Sequence, residues 1–135
     1  MGPDFIRRTV ELLDIERIGH GLTAAQDKDL MALLRDRQIP LEVCLTSNVC
    51  TGVLNQIDHH PLPDLLQVGV ATTLNSDDPA MFGTSLEQEF LLAARQFRLG
   101  PPQLRRLCEN AVRGSFLPKA EKQILLQKLA GMTSV

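Results

Sequence analysis

Three times along this chain a short strand pattern ends in polar or charged residues and then yields to a helical pattern. The strand patterns are Glu16–Gly21, Leu41–Leu45 and Val70–Asn75. Their tips carry His20, then Thr46, Ser47 and Asn48, then Asp77 and Asp78. Strand, polar tip, helix, strand is the signature of right-handed βαβ units and predicts an α/β fold with a parallel sheet. In such a sheet all strand tips emerge on one side, which is where α/β proteins place ligands and catalytic groups. The alternation therefore predicts one site shared by three tips.

The intervening segments read as helices. Asp4 is expected to cap one running to about Asp14, with Phe5, Ile6, Val10, Leu12 and Leu13 as a broad apolar stripe. Thr23 is the expected cap of the next, through about Arg37, with Leu30, Met31, Leu33 and Leu34 inward and Pro40 barring continuation. From Thr51 to His60 the sequence is loop-like, and Pro61 and Pro63 then open a short helix that ends at Gly69. Thr84 or Ser85 caps a helix to about Phe97, with Leu86, Phe90, Leu91 and Ala94 inward. Beyond Gly100-Pro101-Pro102, Gln103–Ser115 and Pro118–Ala130 form two more, and about the last four or five residues are expected to fray.

A length of 135 residues suits one domain, and a 44% hydrophobic content suits a globular one. A net charge of -2, with neither sign in a long block, gives no electrostatic case for nucleic acid or an anionic membrane as partner. No apolar run approaches the ~20 residues that span a bilayer. The start Met1-Gly2-Pro3-Asp4 lacks a signal-peptide pattern, so a cytoplasmic location is expected. Cys44, Cys50 and Cys108 match neither a zinc-knuckle spacing nor a redox pair, and Cys44 reads as a reduced, packed thiol. Three parallel strands leave two open sheet edges, and the chain opens on a helix instead of a strand. It reads as a single partial domain over residues 1–135, the back half of something larger.

The Asp77-Asp78-Pro79 tip supports two readings. Adjacent ionised carboxylates repel, so a fold that holds both near a packed strand end usually supplies a cation or hydrogen-bond donors. Asp-Asp-Pro is equally an ordinary turn in which an aspartate caps the following helix.

Arg17-Ile18-Gly19-His20-Gly21, Leu41 to Asn48, and Leu74-Asn75-Ser76-Asp77-Asp78-Pro79 resemble, in order and spacing, the last three strand-end motifs of the adenosine deaminase family. Ser115-Phe116-Leu117-Pro118 resembles that family's C-terminal helix junction. The resemblance implies the C-terminal portion, strands six to eight, of a (β/α)8 barrel. It implies a zinc-dependent hydrolase that converts adenosine to inosine and ammonia, with adenine or aminodeoxyfutalosine as alternative substrates. Asp77 is then a zinc ligand, Asp78 hydrogen-bonds the purine ring, and His20 stabilises or deprotonates the attacking hydroxide. Gly19 and Gly21 let the backbone bend around that histidine. Zinc would lower the pKa of water to ~7, and a neighbouring imidazole and carboxylate would orient it and take its proton.

Two departures from the family pattern stand out. Leu45 occupies the place where the family usually has proline. The His-x-His of strand one and the histidine and glutamate that follow strand five have no counterparts, since the three histidines are His20, His59 and His60. His59 and His60 read as solvated loop residues. The expectation is thus a fragment inactive alone, completed by an N-terminal half. The other reading is a non-catalytic truncated product that self-associates as an interaction module.

Overall fold

The computed structural model describes residues 2–132. Its parallel sheet has three strands, β1 (Ile18–Gly19), β2 (Leu41–Val43) and β3 (Thr72–Leu74), in the spatial order β1-β2-β3. Ile18 pairs with Leu41 and Leu41 with Thr72, so the residues after each strand emerge side by side. Two further bonds extend the ladders to the tips: His20 N donates to Glu42 O at 2.9 Å and Asn75 N to Val43 O at 2.8 Å. Every β3 side chain is buried, as expected of a parallel strand covered on both faces. The α/β class and the parallel sheet expected from the alternation are present.

Helix α1 (Pro3–Leu12) buries only Ile6 and Val10. Phe5, Leu12 and Leu13 are 56%, 74% and 59% exposed, so the broad stripe expected there is half uncovered. Ile6 and Val10, one turn apart, form the line that meets the core. Phe5 and Leu12 form a second line that nothing in the described chain covers.

Helix α2 spans Lys28–Arg37 and starts later than a Thr23 cap would place it. Asp27 is the cap: its Oδ1 accepts from Asp29 N and Leu30 N, both at 3.0 Å, and Leu22–Gln26 winds as a 3₁₀ turn ahead of it. A carboxylate that receives two backbone donors, and the Arg7 guanidinium at 2.6 Å on its other oxygen, outcompetes a single threonine hydroxyl. Leu30, Met31 and Leu34 then face inward as expected.

The stretch expected as strand end and polar tip after β2 is instead a helix, α3 (Leu45–Cys50). Next, α4 (Leu62–Val68) closes on Gly69 in the left-handed conformation at φ 93, and α5 (Pro79–Phe82) follows β3. On α6 (Leu86–Gln96), capped by Ser85, the expected inward Leu86 and Leu91 are 50% and 44% exposed, while Glu89 and Ala93 are buried. The inward face is turned because the Glu89 carboxylate has hydrogen-bond donors to meet there.

Helix α7 (Pro101–Gly114) packs on β3. Its Asn110 side-chain amide donates to Thr72 O at 2.9 Å, and Leu107 enters the core. Helix α8 (Lys119–Gly131) lies outside α7 with no buried residue. The fraying expected of the chain end falls largely on residues 133–135, outside the described residues. Among the described residues no helix is long and apolar enough to cross a membrane.

Candidate active site

His20 leaves β1 with φ 57, and Gly21 follows at φ 69. Two successive left-handed residues turn the chain sharply, a conformation that is uncommon for a residue bearing a Cβ. Gly21 is required twice over, because a Cβ there would also sit 2.8 Å from Leu41 Cδ2. Gly19 has open space around it and no positive φ, so the bend expected of two glycines is made by His20 and Gly21 instead. Asp77, at the tip of β3, is also left-handed at φ 58. Sparsely populated backbone conformations of this kind cluster at functional sites.

The two strained tips converge. His20 Nε2 lies 3.7 Å from Asp77 Oδ2, with the side chains 46% and 37% exposed. Between them in sheet order, α3 supplies Ser47, whose Oγ donates to the same Asp77 oxygen at 2.7 Å. It also supplies Asn48, whose amide nitrogen lies 3.1 Å from His20 Nδ1. Ser47 and Asn48 are each only 1% exposed, so a buried pair fixes an exposed pair. His20 and Asp77 face two adjoining clefts, of about 370 and about 460 Å³.

Cys44 completes a group of three, with His20 and Asp77, whose ligand atoms all lie within 4.8 Å of one another. Burial, reinforced by the Asp77, Glu89 and Glu42 carboxylates, pushes its thiol up to about 12. At neutral pH it is a protonated, packed thiol, as the sequence suggested, and the ready donors are the imidazole and the carboxylate. Leu45 follows at the first position of α3, where proline is favoured because the N–H has no intrahelical partner anyway. Leucine is fully buried there.

Asp78 does not join His20 and Asp77 in lining those clefts. Its Oδ1 accepts from Met81 N at 2.9 Å and caps α5. The turn reading of the acidic pair thus describes Asp78, and the convergent-site reading describes Asp77.

Two buried polar residues escaped the sequence reading. His60, expected as a solvated loop residue, is 3% exposed, and burial holds its imidazolium down to about 4. Its Nδ1 accepts from Leu62 N at 3.0 Å, its Nε2 meets Asn48 Oδ1 at 3.3 Å, and its ring lies 6.1 Å from that of Phe97. The signal for it is position: a histidine two residues before a proline-opened helix can accept one of the orphan first-turn N–H groups. His59 is exposed, as expected. Glu89, 1% exposed, accepts from Thr46 N at 3.2 Å and from the hydroxyls of Thr46 and Thr84, the latter at 2.8 Å. It ties the start of α3 to the loop after α5. An acid one turn before the small Ala93 on the inward line of α6 was the available sign.

The chain is similar to known proteins over nearly its whole length. The family model for adenosine deaminase matches residues 1–132. An aminodeoxyfutalosine deaminase from Streptomyces avermitilis is 46% identical over 121 residues, covering 90% of this chain and 34% of that protein. An adenosine deaminase from Serratia proteamaculans is 42% identical over 130 residues, covering 96% and 39%. The crystal structure of an adenine deaminase from Arthrobacter aurescens superposes with a TM-score of 0.92 at 33% identity, covering 97% of this chain and 40% of that one. The chain therefore spans between a third and two-fifths of these relatives' lengths, and over that span it belongs to the adenosine deaminase family.

Proposed function

We propose that this chain forms strands six to eight of a (β/α)8 deaminase barrel. Joined to the remaining strands, it hydrolyses the exocyclic amine of an adenine-type purine, with adenosine as the first candidate. Adenine and aminodeoxyfutalosine are the alternatives, as relatives named for each substrate are similar to this chain at 33% and 46% identity. The observation that carries the reading is the convergence of His20 and Asp77, both held in left-handed backbone, beside the buried Ser47 and Asn48. The open edge of β1 and the uncovered Phe5 and Leu12 of α1, with Leu13 just after it, support an unfinished barrel.

The residues present fit part of a zinc site. A ligating carboxylate is normally held by a hydrogen bond from behind, as Ser47 holds Asp77. Zinc takes three or four protein ligands, so Asp77 would hold it together with residues from outside this chain. When bound, zinc would supply a water acidic enough to act as nucleophile at neutral pH.

His20 presents its Nε2 beside Asp77 and hydrogen-bonds the oxygen that attacks the purine carbon bearing the amine. As the C–O bond forms and the C–N bond breaks, one proton of the attacking water goes to the amine, which leaves as ammonia, and the other goes to the neighbouring ring nitrogen. The ring keeps the oxygen as a carbonyl. Asp78, whose Oδ1 is occupied by Met81 N, holds the purine ring edge with its remaining carboxylate oxygen.

The test is complementation. Mixing this chain with the N-terminal portion of an adenosine deaminase that carries the missing histidine and glutamate motifs is expected to give stoichiometric zinc and loss of adenosine absorbance. A folded complex inert toward adenosine, adenine and aminodeoxyfutalosine would overturn the reading. The exposed α1 face favours a second reading, a self-associating interaction module, and light scattering of the chain alone then shows a dimer or larger species. A monodisperse monomer counts against it.

A further inference from the structure

The polar chain beneath His20 has a direction, and a backbone group sets it. Leu62 N–H can only donate, so His60 Nδ1, 3.0 Å away, is an acceptor. A neutral imidazole has one acceptor and one donor nitrogen. His60 Nε2 therefore carries the proton and donates to Asn48 Oδ1 at 3.3 Å. With its oxygen taken, Asn48 turns its amide nitrogen to His20 Nδ1 at 3.1 Å. An amide nitrogen only donates, so His20 Nδ1 accepts and its proton sits on Nε2, the atom 3.7 Å from Asp77 Oδ2.

We propose that His60 is a positioning residue that selects, through Asn48, the tautomer and ring orientation of His20, so that the atom presented toward Asp77 is an N–H donor. The relay is closed to solvent where it matters, since Asn48 is 1% and His60 3% exposed. A flipped Asn48 amide would set donor against donor at His60, with almost no access for water to relieve the mismatch. Burial keeps His60 neutral down to about 4, so the direction persists across the neutral range. The placement also accounts for a histidine that touches neither cleft yet is held on both ring nitrogens.

The relay itself follows from hydrogen-bond directions alone, and its catalytic meaning rests on the deaminase reading. In that setting a proton on Nε2 gives His20, of the two roles open to it, the one that donates to and stabilises the attacking oxygen. The role that abstracts its proton belongs to the other tautomer.

Nitrogen NMR of the full chain labelled with ¹⁵N-histidine, at about pH 8 where an ordinary imidazole is neutral, reads the tautomers directly, and three histidines make the spectrum assignable. His20 and His60 are each expected to show a single Nε2–H form. The exposed His59 gives the mixture typical of solvent and serves as the internal control. Asn48→Asp, which replaces the donor facing His20 by an acceptor, is expected to move the His20 proton to Nδ1 in at least tenfold excess. His60→Phe, which leaves Asn48 without a director, is expected to return His20 to a mixture.

A tautomer mixture at His20 in the unaltered chain overturns the proposal, and so does a His20 that stays Nε2–H in both variants. If a variant fails to fold, the unaltered chain still decides. Since the measurement needs no metal, substrate or second half, inactivity of the complemented enzyme and failure of the relay are separate outcomes.

Discussion

Ser47 Oγ donates to Asp77 Oδ2 at 2.7 Å, so a hydroxyl that is 1% exposed, on the helix after β2, orients a carboxylate that is 37% exposed at the tip of β3. A bond of this kind holds a carboxylate in one rotamer ahead of any ligand, and losing it typically costs 10–100-fold in metal affinity. In the complemented barrel, Ser47→Ala is expected to weaken zinc by roughly that factor, and Ser47→Thr to restore part of it. Competition with a chelator of known affinity measures both. Equal zinc affinity in Ser47→Ala and the unaltered protein would show that Asp77 is held by something else.

Glu89 links the start of α3, the helix that carries Ser47, to the loop after α5. Its carboxylate accepts from Thr46 N and from the Thr46 and Thr84 hydroxyls, and its removal orphans both Thr46 donors while the Thr84 hydroxyl keeps Ser85 O at 3.4 Å. Donors left unpaired cost about 1–3 kcal/mol each when buried and less when part-buried, as at Thr46, so Glu89→Ala is expected to lose about 2 kcal/mol. Glu89→Gln retains an acceptor oxygen and is expected to lose about 1 kcal/mol. Urea midpoints at unchanged slope give both values, and faster hydrogen exchange at the Thr46 amide locates the damage. A Glu89→Ala midpoint within error of the unaltered chain rules the link out.

The contrast between Asp77 and Glu89 shows what a sequence exposes and what it hides. Strand, tip and helix repeat in order, so the parallel sheet and the meeting of His20 with Asp77 were legible from local pattern and from the resemblance of three motifs. Asp27 displaced Thr23 as a cap because two backbone donors and the distant Arg7 favour a carboxylate, and the Arg7 contact is invisible to local reading. Tertiary partners likewise turned α6 about Glu89 and drew His60 inside. Each residue looks solvated until the donors that satisfy it are known. Leu12 and Leu13 mark the opposite case, an apolar signal whose partner is not in the described chain.

Asp78 separates its two roles by substitution. Its Oδ1 caps α5 through Met81 N, so Asp78→Ala is expected to cost about 1 kcal/mol, whereas Asp78→Asn keeps the cap nearly intact. If the carboxylate also holds the purine, Asp78→Asn in the complemented enzyme loses activity while its urea midpoint stays put. Activity and stability falling together in Asp78→Ala, with Asp78→Asn normal in both, would confine Asp78 to the cap.

His60 gives stability a pH dependence whose sign is fixed by burial. Its unfolded pKa is about 6.5, and burial lowers the folded value to about 4. Between these values the unfolded chain binds more protons, so stability rises with pH. The contribution is fully present above about 6.5 and is lost as the pH falls toward about 4, with a span on the order of 3 kcal/mol. Asn48 and Phe97, which flank the ring, carry no charge that could rescue the imidazolium. Asp27, held below the ordinary carboxylate range by its Arg7 hydrogen bond, adds a second loss with the same sign in a lower window. That term is present above the unfolded aspartate value of about 3.9 and disappears as the pH falls through the folded one. Urea midpoints are therefore expected to hold level from about pH 7.5 to 6.5 and to fall from there to about pH 4 in the unaltered chain. In His60→Phe they should stay nearly flat down to the Asp27 window, and an equally steep fall in that variant would assign the acid sensitivity to another group.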